Sequence, residues 1–145
     1  MEKGMLDLHN VLRWLILLLL VVVILQAIGK KTAIRKTSLW LLICTHLTFV
    51  VGLYLLIAGK KYGLINGIPE GISVMKNDYY RFFIVEHPAM MLVAVVLITI
   101  ARKKAKLLNY KATTWLLFIA LLFILAAIPW PFRGIGEGRP WLPGM

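Results

Sequence analysis

The chain has 145 residues, of which 61% are hydrophobic and 16% are charged, and its formal net charge is +11. Soluble domains are closer to half apolar, so this composition excludes an ordinary soluble domain and predicts a membrane protein. In a soluble protein the positive charge would suggest nucleic acid. Here the basic residues lie at the ends of long apolar runs, where anionic lipid headgroups would meet them. We therefore expect one domain, residues 1–145, that contacts the lipid bilayer and does not bind nucleic acid.

A helix needs about 20 mostly apolar residues to cross a bilayer. Four stretches meet this requirement, and they predict an all-α membrane protein, an antiparallel four-helix transmembrane bundle with short connections. Their approximate ranges are 8–28, 39–58, 80–101 and 112–130.

The charge of the connecting segments predicts the orientation of the chain. Segments 29–37 and 102–111 together hold nine basic residues and no acidic one. The positive-inside rule places both in the cytoplasm and both termini on the external, periplasmic side of a bacterial inner membrane. The tail 131–145 is rich in proline and glycine but is also apolar, and we expect it to fold back as a cap over the outer end of the bundle.

All three histidines, His9, His46 and His87, lie in or beside predicted spans. Polar groups at membrane depth are costly, so they are candidates for function, and neutral imidazole is the form that ligates metals. The alternative is that each histidine makes a hydrogen bond to a neighbouring helix. A zinc site made of all three is not expected, because their expected depths run from the hydrocarbon edge to about 18 Å.

Two histidines on facing helices suit haem b, whose iron takes two axial ligands inside an apolar bundle. We predict one bis-His haem with His46 and His87 as iron ligands, and His9 with His87 is the alternative pair. Gly52, six residues after His46, is expected to make room for the macrocycle. Three arginines near the outer end are expected to pair with the haem propionates, because guanidinium matches carboxylate geometry: Arg13, Arg81 and Arg133.

The stretch "VEHPAMM" places Glu86, a histidine and Pro88 within one predicted span. We predict a buried ion pair between Glu86 and Arg13, because an unpaired charge would be costly there. Pro88 predicts a kink in a helix that starts near Tyr79, since the residues after the proline are too few to cross the membrane. The thioethers of Met90 and Met91 leave a copper site as an open interpretation, and ordinary packing of these side chains is the alternative.

Four phrases together resemble a family of small four-span bacterial membrane proteins known as cytochrome b: "LHNVLRW", "THLTFVVGLYL", "RFFIVEHPAMMLVAVVLITIARKKAK" and "ILAAIPWPFRGIGEGRPWLPGM". The resemblance covers nearly the whole chain and includes all three histidines. It implies binding of haem b and a respiratory or redox role. Well-defined dihaem cytochromes b carry four histidines paired on two helices, whereas this chain has three on three, so a single chain has room for one bis-His haem.

These observations predict a haem protein that transfers electrons between a quinol, or a partner oxidoreductase, and an external acceptor. The sequence has no Walker loop, no G-x-S-x-G and no H-E-x-x-H, so we assign no catalytic residue and expect an electron carrier or subunit more than a stand-alone enzyme. Two alternatives stay open: a cofactor-free small subunit of a larger respiratory complex, and a metal- or proton-handling membrane protein. A homo-oligomer is compatible with each of these functions.

Overall fold

The computed structural model describes residues 2–58, 64–135 and 141–142, and this part of the chain is helical with no strand. Four helices are long and apolar enough to cross a membrane. They are α1 (Glu2–Ile28), α2 (Ile34–Ile57), α3 (Asp78–Lys106) and α4 (Tyr110–Ala127). The prediction of an all-α chain with four apolar spans is therefore confirmed.

Asparagine side chains explain where two of these helices begin. The Asn77 side chain accepts hydrogen bonds from the backbone N–H groups of Tyr79 and Tyr80, at 3.1 and 3.2 Å. The Asn109 side chain accepts one from the N–H of Ala112 at 3.1 Å. The first N–H groups of a helix have no partner within the helix, so these caps stabilise the first turns of α3 and α4.

One turn of α3 is irregular. Its first turn, Asp78–Arg81, is followed by the π-helical segment Phe82–Glu86, and the regular helix continues from His87–Lys106. The helix starts well before Pro88, as expected, and it continues through the proline. The irregular turn lies just before Pro88, which has no N–H to donate to the preceding turn.

The four helices contact one another in a closed order: α1 packs against α2 and α4, and α3 packs against α2 and α4. The end where α1 and α3 begin is called the histidine end below, and the end where α2 and α4 begin is called the basic end. Small side chains let α3 and α4 approach closely, as is typical of helix pairs in membranes. The buried alanines on these two helices are Ala94, Ala101, Ala105, Ala120 and Ala127.

Candidate functional site

A cavity of about 210 Å³ lies between the four helices at the histidine end. Its wall is mostly apolar, with side chains from every helix. The polar side chains that line it come from three helices. They are Asp7, His9, Asn10 and Arg13 of α1, Thr45 and Thr48 of α2, and His87 of α3.

The cavity brings His9 and His87 together. Their ring centroids lie 6.2 Å apart, with the ring planes at 63°. The Nδ1 atom of His87 lies 2.7 Å from the backbone carbonyl oxygen of Ala127. A carbonyl only accepts, so Nδ1–H is the donor, and in the neutral ring Nε2 carries the lone pair. Histidines that ligate metals usually hold their other N–H group in this way.

The end of α4 explains why the Ala127 carbonyl is available to His87. The last carbonyls of a helix have no partner within the helix. Ile128 is extended, with φ −74° and ψ 126°, because the residue before a proline, here Pro129, is disfavoured in the helical region. α4 therefore ends at Ala127, and the Ala127 carbonyl is open to the imidazole.

The neighbouring carbonyls at this helix end are covered by side chains of the tail. The indole N–H of Trp130 donates to the Leu125 carbonyl at 2.9 Å, and the Arg133 guanidinium donates to the Ala126 carbonyl. Arg133 also lies over the Phe82 ring, with 5.6 Å between its guanidinium carbon and the ring centroid. Arg133 does not line the cavity, and its predicted pairing with a haem propionate stays a prediction.

The His9 ring packs against Gly52, where no side chain is in its way. A Cβ atom at Gly52 would lie 3.2 Å from Cε1 and 3.7 Å from Nδ1 of the His9 ring. The expectation that Gly52 makes room beside His46 is therefore corrected. Residues six apart are about 120° apart around a helix, so the two do not share a face.

His46 lies on the exposed surface of α2, outside the lining of the cavity. Its Nδ1 atom lies 2.9 Å from the Leu42 carbonyl of its own helix. The inward face of α2 carries Thr45 and Thr48 instead, whose hydroxyls donate to carbonyls four residues earlier. Of the two predicted ligand pairs, the structure brings together His9 and His87, and it does not bring His46 to the cavity.

The observed start of α1 explains why the sequence favoured His46, and not His9, as the partner of His87. The helix begins at Glu2, so His9 lies seven residues, about 10 Å, along it. His87 lies nine residues, about 14 Å, along α3. A start at residue 8 put His9 at the edge of the membrane, whereas the observed helix starts place the two histidines at similar distances along α1 and α3.

Arg13 links α1 to the tail. Its Nη2 atom donates to the Trp141 carbonyl at 2.9 Å, and the Trp14 indole donates to the same carbonyl at 2.8 Å. The Trp14 and Trp141 rings stack, with centroids 6.2 Å apart. The buried Arg13 Nε and Asn10 Oδ1 atoms have no hydrogen-bond partner among the described residues. Besides the Asp7 carboxylate, α1 therefore offers a ligand one charged donor and one amide acceptor.

The predicted ion pair between Arg13 and Glu86 is not formed. Glu86 instead accepts a hydrogen bond from Arg81 Nε at 2.9 Å, and Arg81 also contacts Asp78 at 2.8 Å. The π-helical turn is the physical reason, because in a π-helix residues five apart are neighbours along the axis. Arg81 thus contacts two carboxylates outside the cavity lining, and its predicted pairing with a haem propionate stays a prediction.

Of the two methionines, the structure places Met91 in the wall of the cavity. In the part of the chain that the structure describes, no group of three or more His, Cys, Asp or Glu side chains is arranged to hold a metal ion. The polar groups of the cavity are therefore a histidine pair, an arginine and an asparagine, together with the Asp7 carboxylate and the hydroxyls of Thr45 and Thr48.

The chain was compared with protein-family models, with curated proteins and with solved structures, and none of them matches.

Proposed function

We propose that the chain is a cytochrome of the bacterial inner membrane that binds one haem b between His9 and His87 and transfers electrons. In this proposal the four apolar helices form an antiparallel transmembrane bundle. The basic segments 29–37 and 102–111 face the cytoplasm, so both termini are external.

The observation that carries the proposal is the spacing of the histidine rings. Two imidazole nitrogens that bind one iron at about 2 Å each lie about 4 Å apart, which puts the ring centroids about 6 Å apart when the nitrogens face each other. The observed separation is 6.2 Å. The bond from His87 to the Ala127 carbonyl also favours the tautomer in which Nε2 carries the lone pair that would bind iron.

The remaining wall of the cavity also suits a haem. Apolar side chains match the macrocycle, and the unpaired Nε–H of Arg13 matches a propionate carboxylate. A cavity of about 210 Å³ is smaller than the roughly 300–1,000 Å³ of most ligand pockets. Binding therefore requires the cavity to widen.

The residues of the chain have distinct roles in this function. His9 and His87 hold the iron, and the Ala127 carbonyl holds His87 in the tautomer that ligates through Nε2. Arg13 offsets the charge of a propionate, and the apolar wall excludes water, which tunes the reduction potential. The haem itself supplies reversible one-electron oxidation and reduction. The electron donor would be a quinol or a partner oxidoreductase, and the acceptor would be external.

The reduced-minus-oxidised spectrum of the purified full-length protein tests this function. Expression with ample haem should give an α-band and one haem per chain in a pyridine haemochrome assay. A colourless, folded protein would contradict the proposal, and two haems per chain would contradict its assignment to a single histidine pair.

A second candidate is a cofactor-free subunit of a larger membrane complex. The hydrogen bonds from His87 to Ala127 and from Arg13 to Trp141 favour it, because they already join helices and tail without a ligand. A colourless protein that is stable only with larger membrane subunits would support this alternative.

A further inference from the structure

The basic end of the molecule has a dense positive charge that the proposed function does not use. Segments 29–37 and 102–111 hold nine lysine and arginine residues, and all six acidic residues lie elsewhere in the chain. Like charges at this density repel one another, so the folded protein favours an anion that binds here.

Two hydrogen bonds join α2 and α3 at this end, and each of them uses an arginine. Arg35 Nε donates to the Lys106 carbonyl at 3.1 Å, and Arg102 Nη1 donates to the Ser38 hydroxyl at 3.4 Å. Arg35 and Ser38 are three residues apart on α2, and Arg102 and Lys106 are four apart on α3. The two bonds therefore lie about one helical turn apart along a single seam between the helices.

These two hydrogen bonds leave most of the N–H donors of Arg35 and Arg102 unused. Each guanidinium has five N–H groups, and each of the two bonds occupies one. Both ion pairs found in the described residues involve Arg81, so no carboxylate neutralises Arg35 or Arg102. Arg35 is exposed and Arg102 is half-buried. Paired guanidinium groups with free N–H donors suit phosphate, because the fork of each group matches two phosphate oxygens.

We propose that this seam, formed by Arg35, Ser38, Arg102 and Lys106, binds the phosphate headgroup of an anionic phospholipid. A lipid fits better than a free phosphate because an exposed apolar side chain continues the seam toward the middle of α2, where acyl chains would lie. Leu39, four residues after Arg35 on the same side of α2, is 41% exposed. Basic sites between transmembrane helices on the cytoplasmic side typically bind such lipids. The proposal does not depend on haem.

Native mass spectrometry of the full chain, released from phosphatidylcholine nanodiscs with and without phosphatidylglycerol, tests this site. We expect the wild-type protein to retain phosphatidylglycerol in preference to phosphatidylcholine. The double variant R35Q/R102Q should bind phosphatidylglycerol about ten to thirty times more weakly, because it removes both guanidinium groups that would contact the phosphate directly.

The control variant K31Q/K111Q removes the same charge from the same two segments but leaves the seam intact, so its affinity should fall about threefold or less. Equal losses in the two double variants would overturn the proposal, because they would show diffuse attraction to the bilayer. Equal retention of both lipids by the wild type, or full displacement of phosphatidylglycerol by inorganic phosphate, would also overturn it.

If R35Q/R102Q does not fold, the variant R35K/R102K decides the question. It keeps the charge and removes the guanidinium forks, so phosphatidylglycerol binding should weaken by several-fold. Unchanged binding would overturn the role assigned to the two arginines.

Discussion

The two ends of this molecule are built differently. Toward the basic end, α1, α3 and α4 meet through fully buried apolar and small side chains such as Leu20, Ile98 and Leu117. At the histidine end the same helices surround a cavity lined by imidazoles, an arginine and an asparagine. Polar groups and a cavity both reduce packing, so the close-packed half stabilises the helices while the histidine end remains adaptable. We infer that the close-packed half and the proposed site are separated along the length of the helices.

The largest effect on stability is expected from the close-packed half. Leu20→Ala should lower the free energy of unfolding by about 2–3 kcal/mol, because the lost packing contacts leave a void between helices. Leu18→Ala, on the same helix but 61% exposed, should have little effect. Unfolding in bicelles measures both.

A leucine-to-alanine substitution at the histidine end tests whether the two ends differ in packing. Leu56 lines the cavity, so Leu56→Ala widens an existing space and should cost less than about 1 kcal/mol. If Leu56→Ala were as costly as Leu20→Ala, the two ends would not differ in packing.

Gly52→Ala tests how closely α2 and His9 approach each other. The added methyl would lie 3.2 Å from the His9 ring, and overpacking of this kind costs about 1–3 kcal/mol. Gly4→Ala is the control, since it is also in a helix and has nothing within 4 Å. The difference in unfolding free energy between the two variants gives the cost of the clash. Equal values would show that His9 moves away freely.

The double variant Pro129→Ala/Pro131→Ala should affect the site more than it affects stability. Without Pro129 the helix can continue through residue 128, and the new N–H group at residue 131 can then donate to the Ala127 carbonyl and compete with His87. We expect a stability change below about 1 kcal/mol. The ¹⁵N chemical shifts of the His87 ring would report the altered tautomer. Pro69→Ala, in the exposed loop before α3, should leave these shifts unchanged.

The smallest effect is expected from Glu86→Gln. It removes a carboxylate whose partner, Arg81, is part of an exposed pair, and such pairs contribute little to stability. No measurable change in unfolding is expected. A large loss, typical of a broken buried ion pair, would instead support a contact between Glu86 and Arg13.

The sequence predicts the four apolar helices well, because length and hydropathy alone decide them. It predicts their ends less well, since polar turns continue a helix beyond its apolar core. α1 begins at Glu2 and not at residue 8. α2 begins at Ile34 and not at residue 39, and it includes Arg35 and Lys36.

The site was predicted only in part, because α2 is apolar on all sides and its inward face gives no clear hydrophobic stripe. The sequence nevertheless contains a pattern that indicates the inward face of α2. Thr45, Thr48 and Gly52 are small residues three and four apart, the pattern of a helix–helix interface in membranes. That pattern places His46 on another face. The pairing of Arg81 with Glu86 depends on a π-helical turn that hydropathy does not reveal.

Removal of each histidine in turn tests the central claim most directly. His9→Ala and His87→Ala should each abolish the bis-His reduced-minus-oxidised spectrum of the purified protein, whereas His46→Ala should leave the α-band and the haem stoichiometry unchanged. Loss of the spectrum in His46→Ala, with a wild-type spectrum in His9→Ala, would contradict the assignment of the haem to the cavity between His9 and His87.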